Sequence, residues 1–296
     1  MKRIFHFTGC LALLAVSTAW AATPAGKPAP ATPAGKAAPA AATAGKAAPA
    51  ASAAPEAPVT PVTNMSAAQI VEKNVTARGG LAAWRAVNTM TMSGQLDAGG
   101  KQDTMLPFVM ALKRPHKSRL EIRFQDQTAV QVYDGTQGWK VRPFLGRDEV
   151  EPYTPAEAKS AAAWEELDGP LIDHARKGTK VELVGAQAVE GKSTYKLKLT
   201  LKNGTQRHLW VDATSFLEVR IEGDPRKMDG RMRNVVIYYR DYKSEKGLLV
   251  PRVLETAVAG VKQTHKINIQ SVALNQPLED ALFAKPQVVM AKASSQ

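Results

Sequence analysis

The sequence predicts a mainly β protein: a half-open antiparallel β-barrel of about 11–12 strands, with helices covering an apolar concave face. Three observations carry this. Several segments alternate strictly between apolar and polar residues: Ser118 to Phe124 puts Leu120, Ile122 and Phe124 on one face, and Tyr195 to Leu201 and Leu217 to Ile221 repeat the pattern. Turn signals divide such segments at short spacing, among them Asn203-Gly204 directly after the second of them, Asp134-Gly135, Gly191 and Gly247. Helical patterns occur only ahead of the first strands and in the middle, so the order reads helix, about five strands, helix, about seven strands. A sheet that large must curl. Helices inside the curl make it a half-open barrel rather than a sandwich.

Ahead of this domain stand two segments of another kind. Met1-Lys2-Arg3 is a short positive start, Ile4 to Val16 is mostly apolar, and Ala19-Trp20-Ala21 supplies small residues at −3 and −1. That order predicts a signal peptide over 1–21, cleaved after Ala21, and export to the periplasm. The alternative is an uncleaved anchor with Trp20 at the interface. Cys10 is the only cysteine. Only Ile4 to Phe7 precede it as an apolar run, too short to serve a lipidated cysteine. Cleavage therefore leaves neither disulfide nor thiol nucleophile. Residues 22–64 repeat Thr-Pro-Ala-Gly-Lys at 23–27 and 32–36 and a shortened Thr43-Ala-Gly-Lys46. Such a composition cannot bury enough apolar surface to offset chain entropy, which predicts a disordered spacer that folding does not require. The folded domain is expected over 65–287, with a flexible tail over 288–296. No later stretch is long and apolar enough to form a membrane-spanning helix.

Within the domain, Ser66-Ala-Ala-Gln69 is a capping box that opens a helix through Ile70, Val71 and Val75, and Gly79-Gly80 ends it. Leu81 to Val87 reads as a short helical turn with Leu81 and Trp84 on one side. Met105 to Leu112 is apolar on both strand faces, so each face needs a cover. Either it is ordinary core beneath the helices, or Phe108 and Met110 line a cavity together with Leu120 and Ile122. Methionine suits a cavity because its side chain re-packs around varied ligands. Thr154-Pro-Ala-Glu157 combines an N-cap, Pro at N1 and Glu at N3, and predicts a helix over 156–167 that Asp168-Gly169-Pro170 stops. A further turn is expected from Leu171 to Arg176. The middle helix has a thin inward stripe of Ala163, Trp164 and Leu167. It is read either as a lid, with Trp164 and Leu167 over the cavity, or as a helix that fills the barrel permanently.

The formal net charge is +12, from 39 Lys and Arg against 27 Asp and Glu. A basic exported domain is suited to anionic lipid headgroups at a membrane surface or to cell-wall polymers; a generally basic solvated surface is the alternative. Nucleic acid is not expected in that compartment. Five histidines are scattered without zinc-ligand spacing. Glu165, Glu166 and Asp168 read as solvated acids at a helix end. There is neither a Gly-x-Ser-x-Gly elbow nor a phosphate loop. The expectation is a non-enzyme with no cofactor, no metal and no catalytic residues.

Three segments carry a family resemblance. They are Arg78-Gly-Gly-Leu-Ala-Ala-Trp84 leading into Met92-Ser-Gly94; Leu209-Trp-Val-Asp212 with Thr214 and Leu217-Glu-Val-Arg220; and Tyr242, Gly247-Leu-Leu-Val-Pro251 and Asn275-Gln-Pro-Leu-Glu-Asp-Ala-Leu-Phe283. Together, over Met65 to Pro286, they resemble the LolA-like family of outer-membrane lipoprotein-sorting or carrier proteins. Glu218 stands where that family often carries proline. The resemblance implies an incomplete antiparallel barrel with helices as a lid over an apolar cavity. It also implies a periplasmic carrier or binding protein for acyl chains of lipoproteins or lipids. The alternative is a sensor or regulatory domain in which the same cavity detects lipids or lipoproteins and signals to a protein partner. A carrier transfers ligand between membranes, whereas a sensor keeps a stable partner.

Overall fold

The computed structural model describes residues 58–60, 65–97, 105–143, 146–164 and 167–287, without the side chains of residues 163 and 164. The expected signal peptide, nearly all of the expected spacer and the expected C-terminal tail lie outside the described residues.

Two helices come first, α1 (Ala67–Ala77) and α2 (Leu81–Arg85). The capping box of α1 is formed, with the Gln69 amide donating to Ser66 Oγ and the Ser66 amide donating to Gln69 Oε1. Six strands follow: β1 (Thr89–Asp97), β2 (Met105–Lys113), β3 (Lys117–Phe124), β4 (Gln127–Tyr133), β5 (Gly138–Arg142) and β6 (Arg147–Pro152). Helix α3 (Pro155–Trp164) interrupts them. The chain then forms β7 (Lys180–Val189), β8 (Lys192–Thr200), β9 (Gln206–Asp212) and β10 (Glu218–Glu222). A small hairpin of β11 (Arg226–Met228) and β12 (Arg231–Arg233) precedes β13 (Val235–Glu245), β14 (Leu248–Val258) and β15 (His265–Leu274), and a 3-10 turn at Asp280–Phe283 closes the domain.

Thirteen strands make one antiparallel sheet in the order β6-β5-β4-β3-β2-β1-β15-β14-β13-β10-β9-β8-β7, and the β11–β12 hairpin stands apart. The main sheet therefore has slightly more strands than expected. The additions were illegible for a physical reason: β6 reads Arg-Asp-Glu-Val-Glu-Pro, an edge strand with no apolar face to alternate. The barrel is open, since β6 and β7 are the outermost strands of one sheet and do not pair with each other. Helix α3 and the turns after it connect these two edges.

The core has two lobes on the helix-bearing face. One gathers Trp84, Met90, Leu106, Phe108, Met110, Leu120 and Ile122 with Ile172 and the β14–β15 residues Val250, Ile267 and Ile269. The other packs Ile70 and Val71 of α1 on Leu197, Leu199, Leu209, Val211, Ile221 and Ile237. On the opposite face Trp210 is fully buried with Val189, Tyr238 and Ala257. The Arg220 guanidinium lies 3.7 Å and the Lys196 ammonium 4.9 Å from its ring centroid. Its indole N–H donates to Gln187 Oε1 at 2.7 Å. Cations thus screen a tryptophan that would otherwise face water.

Three expectations need correction. In β2 only alternate residues are buried as far as Phe108, and Met105 and Pro107 are exposed, so the strand is not covered on both faces along its length. In β10 the strict alternation breaks: the register shifts between Glu218 and Arg220, so Glu218 and Ile221 are both buried beside the helix-bearing face. A bulge inserts one residue and turns the side chains beyond it to the other face. Asp168 is not a solvated acid. It is buried and accepts from Arg114 Nη2 at 2.7 Å and Lys177 Nζ at 2.6 Å.

Within the stretch read as spacer, Thr60 bridges the outer edge of β7, exchanging backbone hydrogen bonds of 2.8 and 2.7 Å with Ala186.

Candidate functional site

A cavity of about 180 Å³ lies between the sheet and the segments that cover it. Its first wall is made by neighbouring strands at the centre of the sheet. Met90 and Met92 on β1 face Leu112 and Met110 on β2 as direct cross-strand partners, and all four line the cavity. Ile267 and Ile269 of β15 and Val250 and Leu254 of β14 continue it. The second wall is Leu199, Ile221 and Ile237, shared with the lobe that α1 covers. Period-2 alternation is what aims these side chains inward together. The cover comes from Trp84 of α2 and from Leu167, Gly169 and Pro170, which follow α3.

Among the described residues, no side chain of α3 itself borders the cavity. The buried face of α3 is Glu157, Ser160 and Ala161, at helical i, i+3, i+4 spacing. Glu157 closes the capping box with Thr154 and receives Lys140 Nζ of β5 at 2.6 Å, a pair with both partners buried. Ser160 Oγ donates to Asp224 just beyond β10. The other oxygen of Asp224 accepts from Arg207 Nη2 at 2.7 Å, and Arg207 lines the cavity. Burial lowers the Arg207 pKa from the usual guanidinium value, and Asp224 offsets part of that effect. A chain of polar contacts thus joins α3 to the cavity wall.

The cavity also has a polar end. Arg78, at the C-cap of α1, donates to Glu218 Oε1 at 2.9 Å and to the carbonyls of Leu249 and Asp168 at 3.2 and 3.3 Å. Its guanidinium stacks 4.6 Å from the Trp84 ring centroid, while the Trp84 indole donates to the Arg78 carbonyl at 3.0 Å. Tyr242 donates from its hydroxyl to Glu218, 3.0 Å from the carbonyl and 3.2 Å from Oε2. Burial alone would lower the Arg78 pKa. The charge of Glu218, helped by its hydrogen bond, outweighs this and holds the guanidinium above its usual value. Desolvation and the same carboxylate push the hydroxyls of Tyr239 and Tyr242 up, so both stay neutral at any ordinary pH. These groups satisfy one another. The lining is thus mainly apolar, with this one polar end. Among the described residues no group of three or more His, Cys, Asp or Glu side chains is placed to hold a metal ion.

Of the residues singled out from sequence, Met110 and Leu167 border the cavity. Phe108, Leu120 and Ile122 lie in the buried cluster that contains Met110, Phe108 two residues along β2 and the other two on the neighbouring strand β3. Trp164 ends α3, and its side chain is outside the described residues. The polar group of Arg78, Glu218, Tyr242 and Arg207 was not foreseen. Arg78 and Glu218 fall inside the segments that carried the resemblance, yet nothing in their spacing signals that a bulge brings them together.

Searched by sequence, the chain matches no family model and no curated protein. By structure it is similar to a LolA superfamily protein from Nitrosomonas europaea, with a TM-score of 0.51 at 15% identity, over 75% of this chain and 98% of that one. It is equally similar to a DUF1329 family protein from Desulfovibrio piger, with a TM-score of 0.51 at 14% identity, over 74% and 97% of the two chains.

Proposed function

We propose that this chain, which has a LolA-like fold, is a periplasmic carrier or binding protein for the acyl chains of lipids or lipoproteins. The observation that carries the reading is the apolar cavity under the sheet, with its methionine-rich wall. Volume decides how it works. At about 30 Å³ for a water-sized group, 180 Å³ holds roughly six methylenes. Burying six contributes about 5 kcal/mol at about 0.8 each, which is sub-millimolar binding before ordering costs. Ligand sites typically enclose about 300–1,000 Å³. A full acyl chain exceeds this space, and in the proposed mode the cover moves to admit it.

The segment from Pro155 to Pro170 is suited to that movement. It crosses from one outermost strand of the sheet towards the other. The described buried side chains of α3 are polar or small, and its described ties to the sheet are polar ones, to Lys140 and Asp224. Trp164 and Leu167 are its proposed apolar anchors. Phe108, Leu120 and Ile122 are the proposed reserve of apolar surface into which the cavity enlarges. Export through cleavage after Ala21 is part of the same proposal.

The test is titration of delipidated protein with a fluorescent fatty-acyl probe, alongside native mass spectrometry of the protein as purified. Low-micromolar binding and a co-purifying lipid are expected. Met92→Trp, which fills the cavity from β1, should weaken probe binding at least about tenfold while changing unfolding by only about 1–2 kcal/mol. A wild type that binds no apolar probe sinks the reading.

A further inference from the structure

The β11–β12 hairpin is an insert that the main sheet does not need. Its turn is Asp229-Gly230, with φ of 49° and 75°, the left-handed pair that a two-residue hairpin loop requires. Register then assigns the faces. Lys227 opposes Met232 on one side; Arg226 opposes Arg233, and Met228 opposes Arg231, on the other. Met232 is 65% exposed, well above Met105 at 40%. Lys227 and Arg231 are exposed with it. Arg226 directly across from Arg233 is a like-charge pair, which costs a hairpin stability. The hairpin's own counter-charge is Asp229, 3.6 Å from Arg233 and largely exposed. Arg233 also donates to the Ala259 carbonyl at 3.1 Å, which ties the hairpin base to the β14–β15 turn. Four cations, one acid and a solvated thioether are thus gathered on a short projection.

The register of the sheet places this projection among similar groups. Strands β10 and β13, from which it springs, end at the same rim as the start of β7, the β8–β9 turn and the β14–β15 turn. Exposed Lys180, Lys202 and Lys262 lie on those three elements. Met105 begins β2 on that rim, paired with Asp97. The acids nearest the hairpin base are engaged, Glu222 by His208 and Asp224 by Arg207. Cavity residues Ile221 and Ile237 sit just below the hairpin base on β10 and β13.

We propose that the β11–β12 hairpin docks this protein on an anionic phospholipid bilayer. Met232 enters the headgroup region with Lys227 beside it on the same face, and Arg231 meets lipid phosphates from the other face of the hairpin tip. Cations around an exposed apolar side chain are the chemistry of interfacial binding. An acidic protein would answer the charge but give Met232 no role. The proposal stands apart from the cavity reading, because it needs no ligand in the barrel.

The experiment is vesicle co-sedimentation of the chain purified from the soluble fraction of an exporting host, so that no apolar leader contributes. Vesicles of phosphatidylcholine alone are compared with vesicles containing phosphatidylglycerol. The wild type should bind the second kind, less so as salt rises, and barely bind the first. Each cation near an anionic surface is worth about a factor of five, so K227E/R231E should bind roughly 25-fold more weakly or worse. M232S should lose roughly tenfold. Melting temperatures should stay the same, because the hairpin lies outside the sheet; M232S, at the most exposed site, keeps the test valid if charge reversal disturbs folding. No binding to phosphatidylglycerol vesicles, equal binding to both kinds, or hairpin variants that bind as well as wild type would overturn the proposal. So would retention on heparin or an acidic polypeptide without vesicle binding, which would assign the hairpin to a soluble polyanion.

Discussion

Replacing Arg78 by methionine tests the polar end of the cavity most directly. Methionine keeps much of the arginine's length and apolar stem, and removes the charge and every donor. Glu218, 2% exposed, is then left with only the Tyr242 hydroxyl, and the carbonyls of Leu249 and Asp168 lose a donor. Removing one member of a buried ion pair costs about 3–5 kcal/mol, because the remaining charge is desolvated without compensation. The two carbonyls place the loss towards the upper end. With a urea m-value of about 2–3 kcal/mol/M, the unfolding midpoint should fall by about 1.5–2.5 M. Urea denaturation followed by circular dichroism reads this out. The partner experiment is Arg78→Met with Glu218→Leu. The two side chains are in contact, so their effects should not add, and the double variant should recover most of the loss. If Arg78→Met costs less than about 1 kcal/mol, or if the double variant is no better than the worse single one, the pair does not carry the charge balance argued for it.

The remaining predictions address the cover, the sheet and acid stability. Ser160→Ala removes the hydroxyl that ties α3 to Asp224; stopped-flow mixing should show faster uptake of an acyl probe, with stability lowered by no more than about 1–1.5 kcal/mol. Gly94→Ala puts a Cβ 1.9 Å from the Asn268 carbonyl oxygen at the bulge between β1 and β15; a loss of about 1–3 kcal/mol or more is expected, and a thermal melt equal to wild type would contradict the register. His265 has its pKa lowered by burial first, with Arg226 adding to that effect and Asp97 opposing it. The folded state therefore resists the proton that the unfolded state accepts. Stability should be full above about pH 6.5, the ordinary histidine value, and decline as pH falls below it towards the depressed folded value. His265→Gln should flatten that part of a denaturation-versus-pH series.

The sheet was legible because alternation and turn chemistry are local. Leu197 and Leu199 on β8, and Leu120 and Ile122 on β3, are buried on the face their spacing assigns. Features without a local signal were missed. The bulge in β10 put Glu218 where alternation expected valine's face, and with it the partner of Arg78. Asp168 looked solvated because its partners, Arg114 and Lys177, lie on separate segments. The β11–β12 hairpin had a signal equal to Asn203-Gly204 in the dipeptide Asp229-Gly230, but its flanks are basic rather than apolar and do not read as strands. Of the cavity, the strand residue Met110 was within reach of pattern reasoning. Which neighbouring strands share a wall was not, since that depends on β1 lying between β2 and β15.

That last adjacency governs the order in which the molecule can be completed. Strands β1 to β6 pair with their sequence neighbours, and so do most strands from β7 to β15. The hydrogen-bonded ladders of the two arrays join where β1 pairs with β15, and there the Asn88 amide reaches the Asn275 side chain 187 residues further along. A chain delivered from its N-terminus can assemble the first array early, but β1 keeps an unsatisfied edge until the final strand emerges. Contacts of such sequence separation form slowly, and an open apolar edge in the interval invites pairing with another chain. A polypeptide that loses residues 265–274 would carry two such edges permanently, on β1 and on β14. With β15 in place this seam is closed and β6 and β7 remain the outer strands; without it, two more edges are open to pairing with another chain.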